Sequence, residues 1–226
     1  LRSGSKKSVD RPPELAAWQV RALETVRASS LAREVVFGGG AALAVAYLHH
    51  RTSADVDFFV DRELGAADLR PLARRLATGS TAVDIEVVPP RTSLVLRRAR
   101  GPVGKIDFAY YPYDPLDRRT RWRGLMVESL VDMTVNKVQA VLTRQQARDY
   151  VDLYFLLREG PERDLRRLLG HVRAKFDYGA HRMGLAARLL LVRELERLPR
   201  MIRPVDTADL VAFFEDRARE LARGGP

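Results

Sequence analysis

After Pro12 and Pro13, the apolar residues Leu15, Trp18, Ala22, Leu23 and Val26 recur at the spacing of one helix face, which predicts an amphipathic helix lying on a sheet. Residues 35–37 form a short apolar run ending in Gly38, Gly39 and Gly40, and the alanine-rich stretch 41–48 suits a helix. The predicted order is strand, tight turn, helix. Residues 55–60 predict a second strand, the pattern Leu69, Leu72, Ala73 and Leu76 another helix, and residues 83–88 a third strand. Alternation of this kind points to a sheet covered by helices. Residues 93–98 and 105–111 predict two more strands, separated by the Gly101-Pro102 turn and suited to an antiparallel extension of the sheet. Pro112 and Pro115 are expected to end the β region. From about Val127 onward the periodic segments 127–142, 146–157, 164–175, 179–198 and 207–221 all carry a helical pattern, and no strand is expected among them. The expected class is α+β: a flexible tail at 1–12, an α/β domain with a mixed sheet at 13–120, and a helical bundle at 121–226 that contributes to the active-site cleft.

With 226 residues and 46% hydrophobic content, the chain can bury a substantial core. No run reaches the roughly eighteen apolar residues of a membrane span, so no membrane partner is expected. The absence of cysteine excludes a disulfide framework, a thiolate zinc site and a cysteine nucleophile, and fits a reducing, cytoplasmic setting. Residues 1–8 lack the apolar centre of a secretory signal. A formal charge of +10 makes a polyanionic partner such as RNA plausible, because neutralising phosphates releases counterions. The excess is uneven: residues 91–123 hold nine basic against three acidic side chains, which predicts a basic surface there.

Asp55 and Asp57 alternate with Val56 and Phe58, so on a strand both carboxylates face one side and the apolar pair faces the core. Neighbouring carboxylates repel, and a bound cation relieves that repulsion. Magnesium suits them, since it binds through one or two carboxylates together with substrate phosphates. Gly38, Gly39 and Gly40 lie fifteen residues upstream, where a turn without side chains lets backbone N–H groups approach a triphosphate. The run is neither a Walker loop nor a dinucleotide fingerprint, because no Gly-Lys-Ser/Thr ending follows and no GxGxxG can be written across it.

Gly39-Gly40 followed by Arg51-Thr-Ser53-Ala-Asp55-Val-Asp57 resembles the first motif of the DNA polymerase beta-like nucleotidyltransferases, and most nearly that of the AbiEii/MenT-type toxin family. A second signature of that family is similar to Lys137 with Arg148-Asp149-Tyr-Val-Asp152-Leu-Tyr154. The resemblance implies a nucleotidyltransferase toxin that moves a nucleotide monophosphate, in some members a pyrimidine nucleotide, from an NTP to the acceptor end of tRNA, with a cognate antitoxin as partner. It implies catalytic roles for Asp55, Asp57, Lys137 and Asp152, and nucleotide contacts from Gly38, Gly39, Gly40, Arg51, Ser53, Lys137, Arg148 and Asp149. Magnesium or manganese would be held by Asp55 and Asp57. Ala41 stands where many members of the superfamily carry a serine or threonine, so that position offers no hydroxyl to a phosphate.

Asp84, Glu86 and Asp107 all lie on predicted strands and compete for the place of a third metal carboxylate; Asp107 is preferred because its strand could neighbour that of Asp57. A surface role in an ion pair with Lys105 is the plainer account of Asp107, as a salt bridge with Arg144 or Arg148 is of Asp149. His49 and His50 are adjacent at a helix end and diverge, which suits polar surface groups better than zinc ligands. Tyr110, Tyr111 and Tyr113, near Arg118, Arg119, Arg121, Trp122 and Arg123, could stack on bases or pack as a hinge between domains. Two other functions stay open on the residues alone: transfer to a protein hydroxyl or small molecule, and a non-catalytic RNA-binding or antitoxin-type module.

Overall fold

A computed structural model of the chain describes residues 11–223, so most of the expected tail at 1–12 lies outside the described residues. The first helix, α1 (Ala17–Arg27), buries Ala22, Leu23 and Val26, as its spacing predicts. Strand β1 (Val36–Gly38) runs directly into α2 (Gly39–Leu43), which continues as a wider π-helical turn over Ala44–Leu48. Strand β2 (Val56–Val60) and helix α3 (Ala66–Leu76) follow. Then come β3 (Ala82–Val88), β4 (Arg91–Arg98) and β5 (Gly101–Tyr110).

Two short strands, β6 (Thr120–Trp122) and β7 (Leu125–Val127), come next, and these overturn the expectation that Pro112 and Pro115 close the β region. Each is three residues long, too short to show a period of two, and the helix expected over 127–142 overlaps β7 at Val127. They are joined by Arg123 and Gly124, both at positive φ, a geometry that matches the twist of a tight hairpin. The expected boundary at 120/121 falls inside β6.

The remaining elements are helical: α4 (Leu130–Thr143), α5 (Ala147–Glu159), α6 (Leu165–Phe176), α7 (Arg182–Leu190) and α8 (Thr207–Ala222). The single helix expected over 179–198 is shorter, since α7 gives way to a 3-10 turn at Leu191–Glu194 and then to extended chain. Among the described residues no helix is long and apolar enough to cross a membrane.

The seven strands form one sheet in the order β3-β4-β5-β2-β1-β7-β6. It is mixed, as expected: β2 pairs with β5, and β1 with β7, in parallel, while the other pairs are antiparallel. Phe37 of β1, Phe58 of β2 and Phe108 of β5 fill the centre, with the Phe58 and Phe108 rings stacked at 5.3 Å. The same apolar core continues through Val138 and Val141 of α4 and Tyr150 of α5, so the helices pack onto the sheet without a polar break. Helix α4 starts where the Ser129 hydroxyl accepts a hydrogen bond from the backbone N–H of Asp132 at 2.9 Å, and this cap sets the helix that carries Lys137.

Candidate active site

Strand β2 buries Val56, Phe58 and Val60 and turns Asp57 and Phe59 to the other face, the alternation read from the sequence. Asp55 sits in the bend just before the strand. Because β2 and β5 run parallel in register, Asp57 lies directly across from Asp107, and all three carboxylates line one cleft of about 290 Å³. Asp55 and Asp57 have no ion-pair partner among the described residues. Burial, then repulsion from Asp107 and Asp55, pushes the Asp57 carboxyl up to about 6 against the opposing pull of Lys137 and Arg148. Asp107 is held differently: its Oδ1 accepts from the Ser93 hydroxyl at 2.5 Å, and its Oδ2 lies 2.8 Å from Lys105 Nζ and 3.4 Å from Arg91 Nη1. Among the described residues no three potential ligands are already gathered in metal-holding geometry.

The opposite wall belongs to α4 and α5 and is cationic, with Lys137, Arg144 and Arg148 lining it. Behind it lies a buried charge network. Lys137 Nζ stands 2.9 Å from Asp149 Oδ1 and 2.7 Å from Asp152 Oδ2. Arg51 grips Asp152 in a fork, Nε to Oδ1 at 2.6 Å and Nη2 to Oδ2 at 2.7 Å, while His50 Nε2 lies 2.7 Å from Oδ1. Burial opposes the Asp152 charge, yet Lys137, Arg51 and the hydrogen bonds from Arg51 and His50 outweigh it and hold the carboxyl well below its usual range. Burial lowers His50 despite Asp152, so the ring is neutral and donates through Nε2.

At the floor of the cleft are Gly39 and Gly40 with Ser53. Gly39 is at φ +65°, and a Cβ there would collide with the Asp57 carboxylate; one at Gly40 would strike the Arg51 guanidinium. The glycines are thus required by the protein's own charged side chains as well as by any phosphate that approaches.

With this geometry goes a match over residues 21–223 to the family described as nucleotidyl transferase AbiEii toxin of type IV toxin-antitoxin systems. The chain belongs to the AbiEii family. Its fold is also that of JHP933 from Helicobacter pylori, with a TM-score of 0.59 at 17% identity, covering 91% of this chain and 89% of that one. The nucleotidyltransferase toxin MenT4 from Mycobacterium tuberculosis is similar at a TM-score of 0.56 and 18% identity, covering 93% of this chain and 87% of that one. No curated protein matches the sequence.

Of the expected site positions, Gly39, Gly40, Arg51, Ser53, Asp55, Asp57, Asp107, Lys137 and Arg148 share the cleft. Three do not reach it. Gly38 is buried beneath, and Asp149 and Asp152 are wholly inaccessible, with every carboxylate oxygen taken by the cations above. Asp152 and Asp149 thus meet the cleft only through the cations they hold, and Gly38 lies under its floor. His50 is buried against Asp152 and Phe155, which overturns its expected surface position, while His49 does project outward. Asp84 and Glu86 are exposed partners of Arg97. Tyr111 and Tyr113 pack on Phe59 and Phe176, and Trp122 on Phe37.

Three cleft determinants give no signal in the sequence. Gln19 of α1, buried, donates from Nε2 to the carbonyl of Ser53 at 3.0 Å and so ties down the loop that carries Asp55. Asn136 is oriented by the Tyr111 hydroxyl, which donates to its Oδ1, and by its own donation to Glu128 Oε1 at 2.9 Å. Glu128 is buried, its Oε2 has no hydrogen-bond partner, and burial pushes its carboxyl up to about 7 against relief from Lys175 and Asn136. A carboxyl raised on folding stabilises below its unfolded value and loses that contribution as pH rises through the folded one. Stability is therefore expected to fall by about 3 kcal/mol between pH 4.5 and about 7 on account of Glu128. Thermal melts across this range should flatten in Glu128→Gln; parallel wild-type and variant curves would contradict this assignment.

Proposed function

We propose that this AbiEii-family chain transfers a nucleoside monophosphate, a pyrimidine by the family resemblance, from an NTP to RNA, the acceptor end of tRNA foremost. The observation that carries the reading is the facing of Asp57 and Asp107 across β2 and β5, with Asp55 beside them and a wall of Lys137 and Arg148 opposite. Two carboxylates without an ion-pair partner among the described residues, Asp55 and Asp57, the latter raised by burial and then by Asp107 and Asp55, suit a hard divalent cation. Magnesium or manganese held by Asp55 and Asp57, with Asp107 as third ligand, would supply charge neutralisation on the triphosphate and favour in-line displacement.

The chain's own residues do the remainder. Lys137, fixed by Asp149 and Asp152, and the more exposed Arg148 bind phosphate oxygens. Gly39 and Gly40 leave room for the triphosphate beside Asp57. The RNA hydroxyl oxygen bonds to the α-phosphorus, the bond to the β-phosphate breaks, pyrophosphate leaves and the hydroxyl proton passes to solvent. The excess of basic over acidic side chains along residues 91–123 supports a polyanionic acceptor. The family description supports a cognate antitoxin, and the lack of cysteine a reducing cytoplasmic setting.

The test is to incubate the protein and magnesium with total tRNA and each of the four α-labelled nucleotides in turn. Label is expected at tRNA ends with CTP or UTP. Label on polypeptide would select a protein hydroxyl as acceptor, and no label with any nucleotide would leave a non-catalytic RNA-binding module.

A further inference from the structure

The two walls of the cleft hold their cations in opposite ways. Lys137 is locked, with a side chain only 10% exposed between two buried carboxylates. On the sheet wall the ratio is reversed, since Lys105 and Arg91 share the one carboxylate of Asp107. Their side chains are 34% and 51% exposed, whereas that of Asp107 is 6% exposed. Ion pairs to side chains this exposed are weakly held.

Register shows how the trio is arranged. Ser93 of β4 lies across from Asp107 of β5, Arg91 across from Ala109, and Lys105 across from Val95. Residues two apart on a strand share a face, so the two cations flank Asp107 on either side along the face that lines the cleft. Of the four carboxylates that line the cleft, Asp55, Asp57, Asp107 and Glu128, Asp107 is the one in ion pairs among the described residues.

We infer that Lys105 and Arg91 are placeholder cations, which hold Asp107 until it turns to the metal site and are then released to bind the phosphodiester backbone of the RNA acceptor. The inference rests on the metal-dependent reading above. A carboxylate that exchanges two monovalent side chains for a divalent ion leaves two positive charges on the sheet wall with nothing to neutralise them. The helical wall already carries the cations that suit the incoming NTP. The β4–β5 side is therefore the acceptor side, and loading of the metal site precedes tight RNA binding. Phosphates take up such charges without regard to base sequence.

The experiment measures binding alone, without turnover. Mn²⁺ affinity is read from the EPR signal of the free ion in nucleotide-free wild type, Asp57→Asn, Lys105→Met and Arg91→Met. Affinity for a fluorescein-labelled tRNA is read by anisotropy with and without Mn²⁺. Lys105→Met should bind Mn²⁺ about fivefold more tightly than wild type, the upper range for a partly exposed ion pair. The same variant should bind tRNA less tightly in Mn²⁺, its log–log salt slope shallower by about 0.7. Arg91→Met, altered at a more exposed position, should move both quantities the same way. Unchanged Mn²⁺ affinity in both variants, with wild-type binding intact and lost in Asp57→Asn, overturns the placeholder role and spares the metal site. Wild type that binds no Mn²⁺ through Asp57 overturns both.

Discussion

Asp57→Asn is expected to lower nucleotide transfer by at least about a thousandfold, because the proposed metal supplies several kcal/mol of transition-state stabilisation and Asp57 is central to holding it. The same change should make the metal-free protein more stable. Burial and the neighbouring Asp107 and Asp55 raise the Asp57 carboxyl from 3.8 to about 6, so ionising it in the folded chain costs about 3 kcal/mol at neutral pH. The sign follows from the direction of the shift. Stability that depends on the protonated carboxyl is complete below pH 3.8 and is lost as pH rises through about 6. Asparagine removes that loss, so the variant should melt several degrees above metal-free wild type at pH 7.5, at about 2–4 °C per kcal/mol for a chain of this size. The difference should vanish near pH 4. Calorimetry at the two pH values and a labelled-nucleotide assay check the pair of outcomes. An active Asp57→Asn, or one that melts lower than wild type at both pH values, would remove the carboxylate cluster from the account of activity.

That cluster was legible because strand alternation is a local rule. Val56 and Phe58 had to go inward, which left Asp55 and Asp57 outward, and the glycine turn fixed the direction of approach. Asp107 was reachable by the same rule once its strand was set beside β2. What the sequence could not show is depth. Asp149 and Asp152 share a helix face with three-residue spacing, and nothing local distinguishes a face that lines a cleft from one sealed behind Lys137 and Arg51. His50 read as a surface group for the same reason, since its partner is 102 positions away. Gln19 is a polar residue on the buried face of α1 whose use shows only in its contact with the distant Ser53 loop, and Glu128 gains its meaning from burial beside Asn136 of α4. Strands β6 and β7 escaped because three residues carry no period and the pairing of β7 with β1 is long-range.

Asp152→Asn should expose the structural character of the sealed network. The substitution keeps the side-chain shape but leaves Arg51, whose side chain is 2% exposed, short of its counter-charge, and Lys137 with Asp149 alone. Breaking a buried pair in this way costs about 3–5 kcal/mol, because the remaining charge stays desolvated. A fall in melting temperature of roughly 10 °C follows at about 2–4 °C per kcal/mol. Activity should fall as well, through Lys137, which loses the anchor that aims it across the cleft. Asp149→Asn should be milder, since one of its partners, Arg144, is 46% exposed and can turn to solvent. A catalytic role for Asp152 makes a different forecast: lost transfer with unchanged melting temperature and unchanged nucleotide affinity. Melting curves for both variants beside equilibrium NTP binding separate the two accounts, because only a positioning role weakens stability, Lys137-dependent binding and transfer together.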